Sequence, residues 1–72
     1  MAYHTLEQYR LAADQGDVDA QFIVAVMYYL GNSTFNISKD YAQAETWFRK
    51  AADLGFRPAQ DYLNRIQTSD VP

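Results

Sequence analysis

The side chains that could take part in catalysis or metal binding are few in this 72-residue chain. His4 is the only histidine, and there is no cysteine. Neither a disulfide nor a thiolate zinc site can therefore form. A nucleophilic triad has no visible nucleophile and orienting acid at a matching spacing, and the chain has no glycine-rich phosphate-binding loop. We interpret His4 as a surface or capping residue and expect a protein that is not an enzyme, without cofactor or metal.

Three acids, Asp14, Asp17 and Asp19, lie close together in the sequence. Their spacing does not pair two carboxylates for acid–base chemistry. Two interpretations stay open: solvated side chains, with Asp17 as the N-cap of a helix that starts at Val18, or an acidic rim that steers a basic partner. The net charge is −3. This is a mild excess, and no basic patch suggests nucleic-acid binding.

Two tripeptides in a turn-rich linker, Asn32-Ser33-Thr34 and Asn36-Ile37-Ser38, fit the N-glycosylation acceptor pattern. The N-terminal MAYHTLEQYR lacks the charged start and apolar segment of a signal peptide. We therefore expect these tripeptides to be coincidental and the protein to be cytoplasmic. The longest apolar run, Phe22 to Leu30, has nine residues, far short of the roughly 20 needed to span a membrane.

The elements that must position any site come from an internal repeat. The segments YRLAADQGDVDAQ (9–21) and FRKAADLGFRPAQ (48–60) align at an offset of 39, with seven of thirteen positions identical. A period near 40 with helical spacing predicts a helical-hairpin solenoid. The predicted helices cover residues 4–15, 18–30, 40–54 and 58–67, joined by a linker at 31–38 and followed by a tail at 68–72.

Local signals support these boundaries. Gly16 and Gly55 each follow an apolar-periodic segment and suit the left-handed residue that ends a helix. Pro58 fits the first turn of the last helix, and Thr5 with Gln8 fits a capping box at the first.

The blocks DAQFIVAVMYYLGN and KDYAQAETWFRKAADLG resemble the Sel-one-like repeat, a branch of the tetratricopeptide-like α-solenoids. The matching positions are Ala20, Met27, Tyr28, Gly31, Ile37, Lys39, Asp40, Ala44, Trp47, Phe48, Lys50, Ala51, Ala52 and Gly55. The resemblance implies an all-α fold, an α-α superhelix of helical hairpins with about four helices. It divides a single domain, 1–72, into a half repeat (4–17), a complete repeat (18–57) and a second half repeat (58–67).

Two departures from the family pattern stand out. Val24-Ala25 replaces the usual Leu-Gly pair, and the linker is about three residues longer, with Asn36 where glycine is typical. Asparagine tolerates the left-handed conformation, so the turn can survive. The resemblance implies a protein-interaction scaffold with no shared catalytic residues.

The apolar helix 18–30 is the predicted binding element. One face, which includes Ala20, Val24 and Met27, packs inside the hairpin according to the resemblance. The opposite flank carries the predicted partner-binding side chains, with acids at its rim and one residue from the linker. These are Phe22, Val26, Tyr29, Leu30, Asp19, Asp17 and Phe35. Either the terminal helices bury this flank, or it stays exposed and binds a peptide or helix of another protein, a second copy, or both.

Two arguments favour exposure. Solenoids usually need three or more units, and the ends show apolar residues without an obvious polar cap: Tyr3, Leu6 and Tyr9 at one end, Tyr62, Leu63 and Ile66 at the other. On this hypothesis, Phe22→Ala with Tyr29→Ala abolishes binding and leaves the helices intact. An alternative function is a small stand-alone inhibitor or immunity-type protein that blocks an enzyme or complex by occupying its surface.

Two aromatic residues outside this flank also leave alternatives open. Phe35 either packs back against Tyr41 or faces a partner. Trp47 packs against a neighbouring helix or the linker, or else serves as a half-exposed interface anchor.

Overall fold

The computed structural model describes residues 5–68, which form four helices. They are α1 (Leu6–Asp14), α2 (Val18–Leu30), α3 (Tyr41–Asp53) and α4 (Arg57–Thr68). Each boundary lies within two residues of its predicted position, and the all-α fold class is confirmed. The β-branched residues Ile23, Val24 and Val26 lie within α2. In the described part of the chain, the only β-type pairing is an isolated bridge between Asn32 and Ile37.

The repeated glycines end α1 and α3 in the same way. Gly16 has a φ of 99° and Gly55 a φ of 92°, as predicted. After α1, the N–H of Gly16 donates to the Ala13 carbonyl at 3.1 Å, and that of Asp17 donates to the Ala12 carbonyl at 3.0 Å. The same pair of bonds follows α3 at an offset of 39. This is the Schellman arrangement, which satisfies carbonyls at the helix end.

Side-chain caps begin the first three helices. The Thr5 hydroxyl accepts from the Gln8 N–H, and Asp17 Oδ1 accepts from the Ala20 N–H, both at 3.1 Å. Both interactions were predicted. Asp40 caps α3 in the same manner, through the Gln43 N–H.

The core is built largely from the repeated alanines. Their small side chains let the helices approach closely, while a few larger side chains fill the space between them. The buried apolar residues are Ala12, Ala13, Ala20, Val24, Ala25, Met27, Ala44, Trp47, Phe48, Ala51, Ala59 and Leu63. Trp47 is therefore a packing residue, and its alternative role as a half-exposed interface anchor was wrong.

The linker between α2 and α3 is a small ordered hairpin. The N–H groups of Asn32 and Ile37 each donate to the other's carbonyl at 2.8 Å. The Asn32 side chain accepts from the Phe35 N–H at 3.1 Å. Asn36 takes the left-handed conformation, with a φ of 57°. The longer linker therefore keeps the turn, as its asparagine allowed.

Both terminal helices turn a mainly polar face outward, which corrects the expectation of uncapped apolar ends. On α4, Leu63 is buried, and Tyr62 and Ile66 are half-buried. The exposed side of α4 consists of polar residues and a proline. On α1, Leu6 and Tyr9 are half-buried, while Tyr3 lies outside the described residues. Helical residues three and four apart share a face, and apart from the exposed Leu11 on α1, the large apolar side chains described on the two terminal helices are buried or half-buried.

The chain exposes 4782 Å², close to the value of about 4,600 Å² that the scaling of accessible surface with mass gives for a folded chain of this size.

Candidate protein-interaction surface

The predicted binding flank of α2 divides into a packed part and an exposed part. Phe22 belongs to the packed part. Its ring centroid lies 5.7 Å from that of Phe48, 4.9 Å from that of Phe56 and 5.7 Å from that of Tyr62. Phe22 is half-buried, so part of the residue still meets solvent. The ring joins α2 to α3 and α4.

Tyr29, two turns further along α2, is held in the same way. Its ring lies edge-on to those of Tyr41 at 5.5 Å, Phe48 at 6.0 Å and Tyr62 at 5.2 Å. Tyr62 in turn stacks on Phe48 with a centroid distance of 4.8 Å and an interplanar angle of 4°. We call this group the aromatic cluster: Phe22, Tyr29, Tyr41, Phe48, Phe56 and Tyr62. Helix α4 thus covers part of the flank, as one of the two sequence-based alternatives described.

The exposed part is a narrow stripe along α2. Asp19 and Leu30 lie on it, as predicted, and Leu30 is 59% exposed. Val26 is half-buried between them. Ile23, with 36% of its surface exposed, completes the row. Asp19, Ile23, Val26 and Leu30 follow one another at separations of four, three and four residues. This spacing places them on one side of a helix. We call Asp19, Ile23, Val26 and Leu30 the α2 stripe.

Ile23 is the surface residue that sequence reasoning missed. The signal was present in its spacing of four residues from Asp19 and seven from Leu30. Because every residue from Phe22 to Leu30 is apolar, this spacing did not distinguish Ile23 from its buried neighbours. The polar residue Gln21 is no guide to the exposed side, because it is only 5% exposed.

Helix α4 provides the neighbouring row. At the repeat offset of 39, Tyr62 corresponds to Ile23, and Arg65 to Val26. The Arg65 guanidinium lies over the Tyr62 ring at 5.6 Å from its centroid. Because Tyr62 contacts Phe22 and Tyr29 of α2, the two rows lie beside each other.

The remaining predicted site residues have structural roles. Asp17 is half-buried and caps α2, whereas Asp14 at the end of α1 and Asp19 on α2 are exposed. Phe35 packs edge-on against Tyr9 of α1, with ring centroids 6.2 Å apart. The contact predicted with Tyr41 is thus replaced by one with Tyr9, since the hairpin turns its tip towards α1. His4 lies outside the described residues.

Two other exposed leucines provide a comparison. Leu11 on α1 and Leu54 at the end of α3 are each 60% exposed, close to the value for Leu30. Leu11 is surrounded on its helix by Glu7, Arg10 and Asp14, all exposed. Neither leucine belongs to an apolar row like the α2 stripe.

Within its described residues, the structure has neither a cluster of metal ligands nor a membrane-spanning helix. No group of three or more His, Asp or Glu side chains there could hold a metal ion. In the same part of the chain, no helix is long and apolar enough to cross a membrane. Among the residues whose burial is described, Gln21 is the one buried polar residue, and its Nε2 donates to the Ala13 carbonyl at 3.0 Å and ties α2 to α1.

Comparison with known proteins gives one match. The family model described as the Sel1 repeat matches residues 9–17 and 18–56. No curated protein and no solved structure matches the chain. The two matched stretches meet between Asp17 and Val18, where α2 begins, and together they cover two-thirds of the sequence.

Proposed function

The chain belongs to the Sel1 repeat family, and on that premise we propose that it is a protein-interaction module whose partner binds along the α2 stripe. Sel1 repeats generally mediate protein–protein interactions. The family is a non-catalytic interaction module, so the proposed role is binding rather than catalysis.

The observation that carries this proposal is the exposure of three apolar side chains in register on one helix. Ile23, Val26 and Leu30 lie on one side of α2, and the half-buried rings of Phe22 and Tyr29 border them. Single exposed apolar residues are ordinary on protein surfaces, whereas a contiguous apolar row marks an interaction site. The row matches the spacing with which one helix packs on another.

The contacts of Phe22 and Tyr29 change the role expected for them. They form the border of the surface and also belong to the aromatic cluster that joins three helices. Their loss would disturb the fold together with the surface. The direct test therefore uses Leu30, which is mostly exposed, instead of the double substitution at Phe22 and Tyr29.

The experiment places a photo-crosslinking amino acid at position 30 in the full chain, expressed in its native host. Position 54 carries the same group as the matched control, because Leu54 has nearly the same exposure as Leu30. We expect a discrete crosslinked protein from position 30 and none from position 54. The same products from both positions, or products from position 54 alone, would show that the α2 stripe is not the binding surface.

Self-association and inhibition are weaker candidates. The exposed area is close to that expected of a folded chain of this size, and it does not favour a homodimer. The inhibitor role and the cytoplasmic location stay predictions of the sequence, since no contact or charge in the fold favours them.

A further inference from the structure

The charges beside the α2 stripe define the kind of partner that fits it. Asp19 lies at the N-terminal end of the stripe, and Arg65 lies on α4 at the position that corresponds to Val26. Both side chains are exposed. Among residues 5–68 neither forms an ion pair, the one salt bridge there being Arg49 with Glu45 on α3.

We propose that the occupant of this surface is a single amphipathic helix of a partner protein, with an apolar row against Ile23, Val26 and Leu30, a basic residue against Asp19 and an acidic residue against Arg65. This inference rests on the proposed function and adds the chemistry of the partner.

The spacing of the two charges follows from helix geometry. Arg65 corresponds to Val26, which is seven residues after Asp19. The Tyr62 ring lies between those of Phe22 and Tyr29, which places Arg65 somewhat further along. At 1.5 Å per residue, the two charges are offset by about 10–15 Å, or two to three turns, along the helix axes. A partner helix that lies along the α2 stripe beside α4 would place its base and its acid about seven to ten residues apart.

The size of the surface argues for a helix rather than a second copy. A standard interface buries about 800 Å² on each partner, roughly a sixth of the 4782 Å² that this chain exposes. The stripe offers three apolar side chains, one of them half-buried. Stacking of copies end to end is also disfavoured by α4. Its exposed Asn64 and Gln67 stand where α2 has Ala25 and Tyr28, which pack in the core.

The probe for this proposal is a displayed library of 16-residue helices, selected on the folded full chain. Every member carries leucines at helical i, i+3, i+7 spacing, and its flanking positions sample Lys, Glu and Ala. We expect enrichment of helices with a Lys and a Glu about seven to ten residues apart on one flank. Selected helices without that pattern, or failure to select any binder, would overturn the proposal.

A charge-swap experiment then tests the assignment of Asp19. A selected helix is expected to bind Asp19→Lys about 2- to 5-fold more weakly, the range of exposed ion pairs. Reversing its Lys to Glu should restore the affinity for Asp19→Lys. Asp53→Lys, which makes the same charge change at an exposed position on α3, should have no effect. Equal effects of the two variants, or failure of the reversal to restore binding, would overturn the inference.

Two further measurements separate this inference from the proposed function. If Leu30→Glu removes binding while Asp19→Lys changes nothing, the apolar surface stands and the assigned charges are wrong. If Leu30→Glu also changes nothing, both proposals are wrong. Sedimentation of the unmodified chain is expected to show a monomer. A dimer that Leu30→Glu dissociates would instead identify a second copy as the occupant.

Discussion

Truncating both Phe22 and Tyr29 to alanine should remove much of the stability of this fold. A fully buried Phe→Ala change costs about 3–5 kcal/mol, and these two rings are half-buried. A cost near 2 kcal/mol for each ring follows by proportion. Both rings contact Phe48 and Tyr62. Their effects therefore overlap, and about 3–4 kcal/mol is expected for the pair.

That loss is large for a domain of this length. At 0.05–0.15 kcal/mol per residue, 72 residues have a total stability of about 4–11 kcal/mol. The midpoint of thermal unfolding should fall by about 15–25 °C. Urea unfolding measured by circular dichroism at 222 nm, together with the fluorescence of the buried Trp47, gives the free energy directly.

The matched control is Leu11→Ala with Leu30→Ala, which also truncates two apolar side chains. These leucines are 60% and 59% exposed, and alanine favours helix slightly more than leucine does. The control pair should cost less than about 1 kcal/mol. The division of the flank into cluster and stripe is wrong if the aromatic pair costs no more than the leucine pair.

Other substitutions test separate parts of the account. Gly16→Ala should cost about 1–2 kcal/mol in urea unfolding, because its φ of 99° strains any side chain although the space around it is open. Asp17→Ala should cost about 1 kcal/mol through loss of the α2 cap, and Asp17→Asn should restore most of it. Gln21→Met should change the free energy of unfolding by no more than about 1.5 kcal/mol. Gln21→Glu should lower it by about 3 kcal/mol or more, because an unpaired charge is buried against the Ala13 carbonyl. Equal costs for the two variants would contradict the placement of this side chain. Phe35→Ala should raise amide hydrogen exchange in α1 more than in α4, because Phe35 packs on Tyr9, and a uniform increase would argue against this contact.

Local chemistry made the helices and their ends predictable. A glycine with positive φ and an aspartate or threonine before an apolar segment act within a few residues of chain. Gly16, Gly55, Asp17 and Thr5 therefore behave as their types dictate. Glu45 and Arg49, one turn apart on α3, form an ion pair at 2.8 Å, a contact that this spacing favours.

The candidate surface was less predictable because it depends on packing between distant segments. Tyr62, from the end of the chain, decides that Phe22 and Tyr29 are packed while Leu30 is left exposed. In a run of nine apolar residues, no polar position marks the side of the helix that faces solvent. The sequence pattern alone therefore does not separate the packed residues from the exposed ones. The position of Phe35 likewise depends on the direction of the linker hairpin, which the sequence does not specify.

The most direct test of the central claim compares Leu30→Glu with Leu54→Glu in binding to the partner crosslinked at position 30. Burial in an interface of the part of Leu30 that is exposed here, 59%, is worth about 1–2 kcal/mol, or roughly 5- to 30-fold in affinity. A buried glutamate adds to that loss. Titration calorimetry should show at least tenfold weaker binding for Leu30→Glu and unchanged binding for Leu54→Glu. Equal affinities for the two variants would contradict the claim that the partner binds on the α2 stripe.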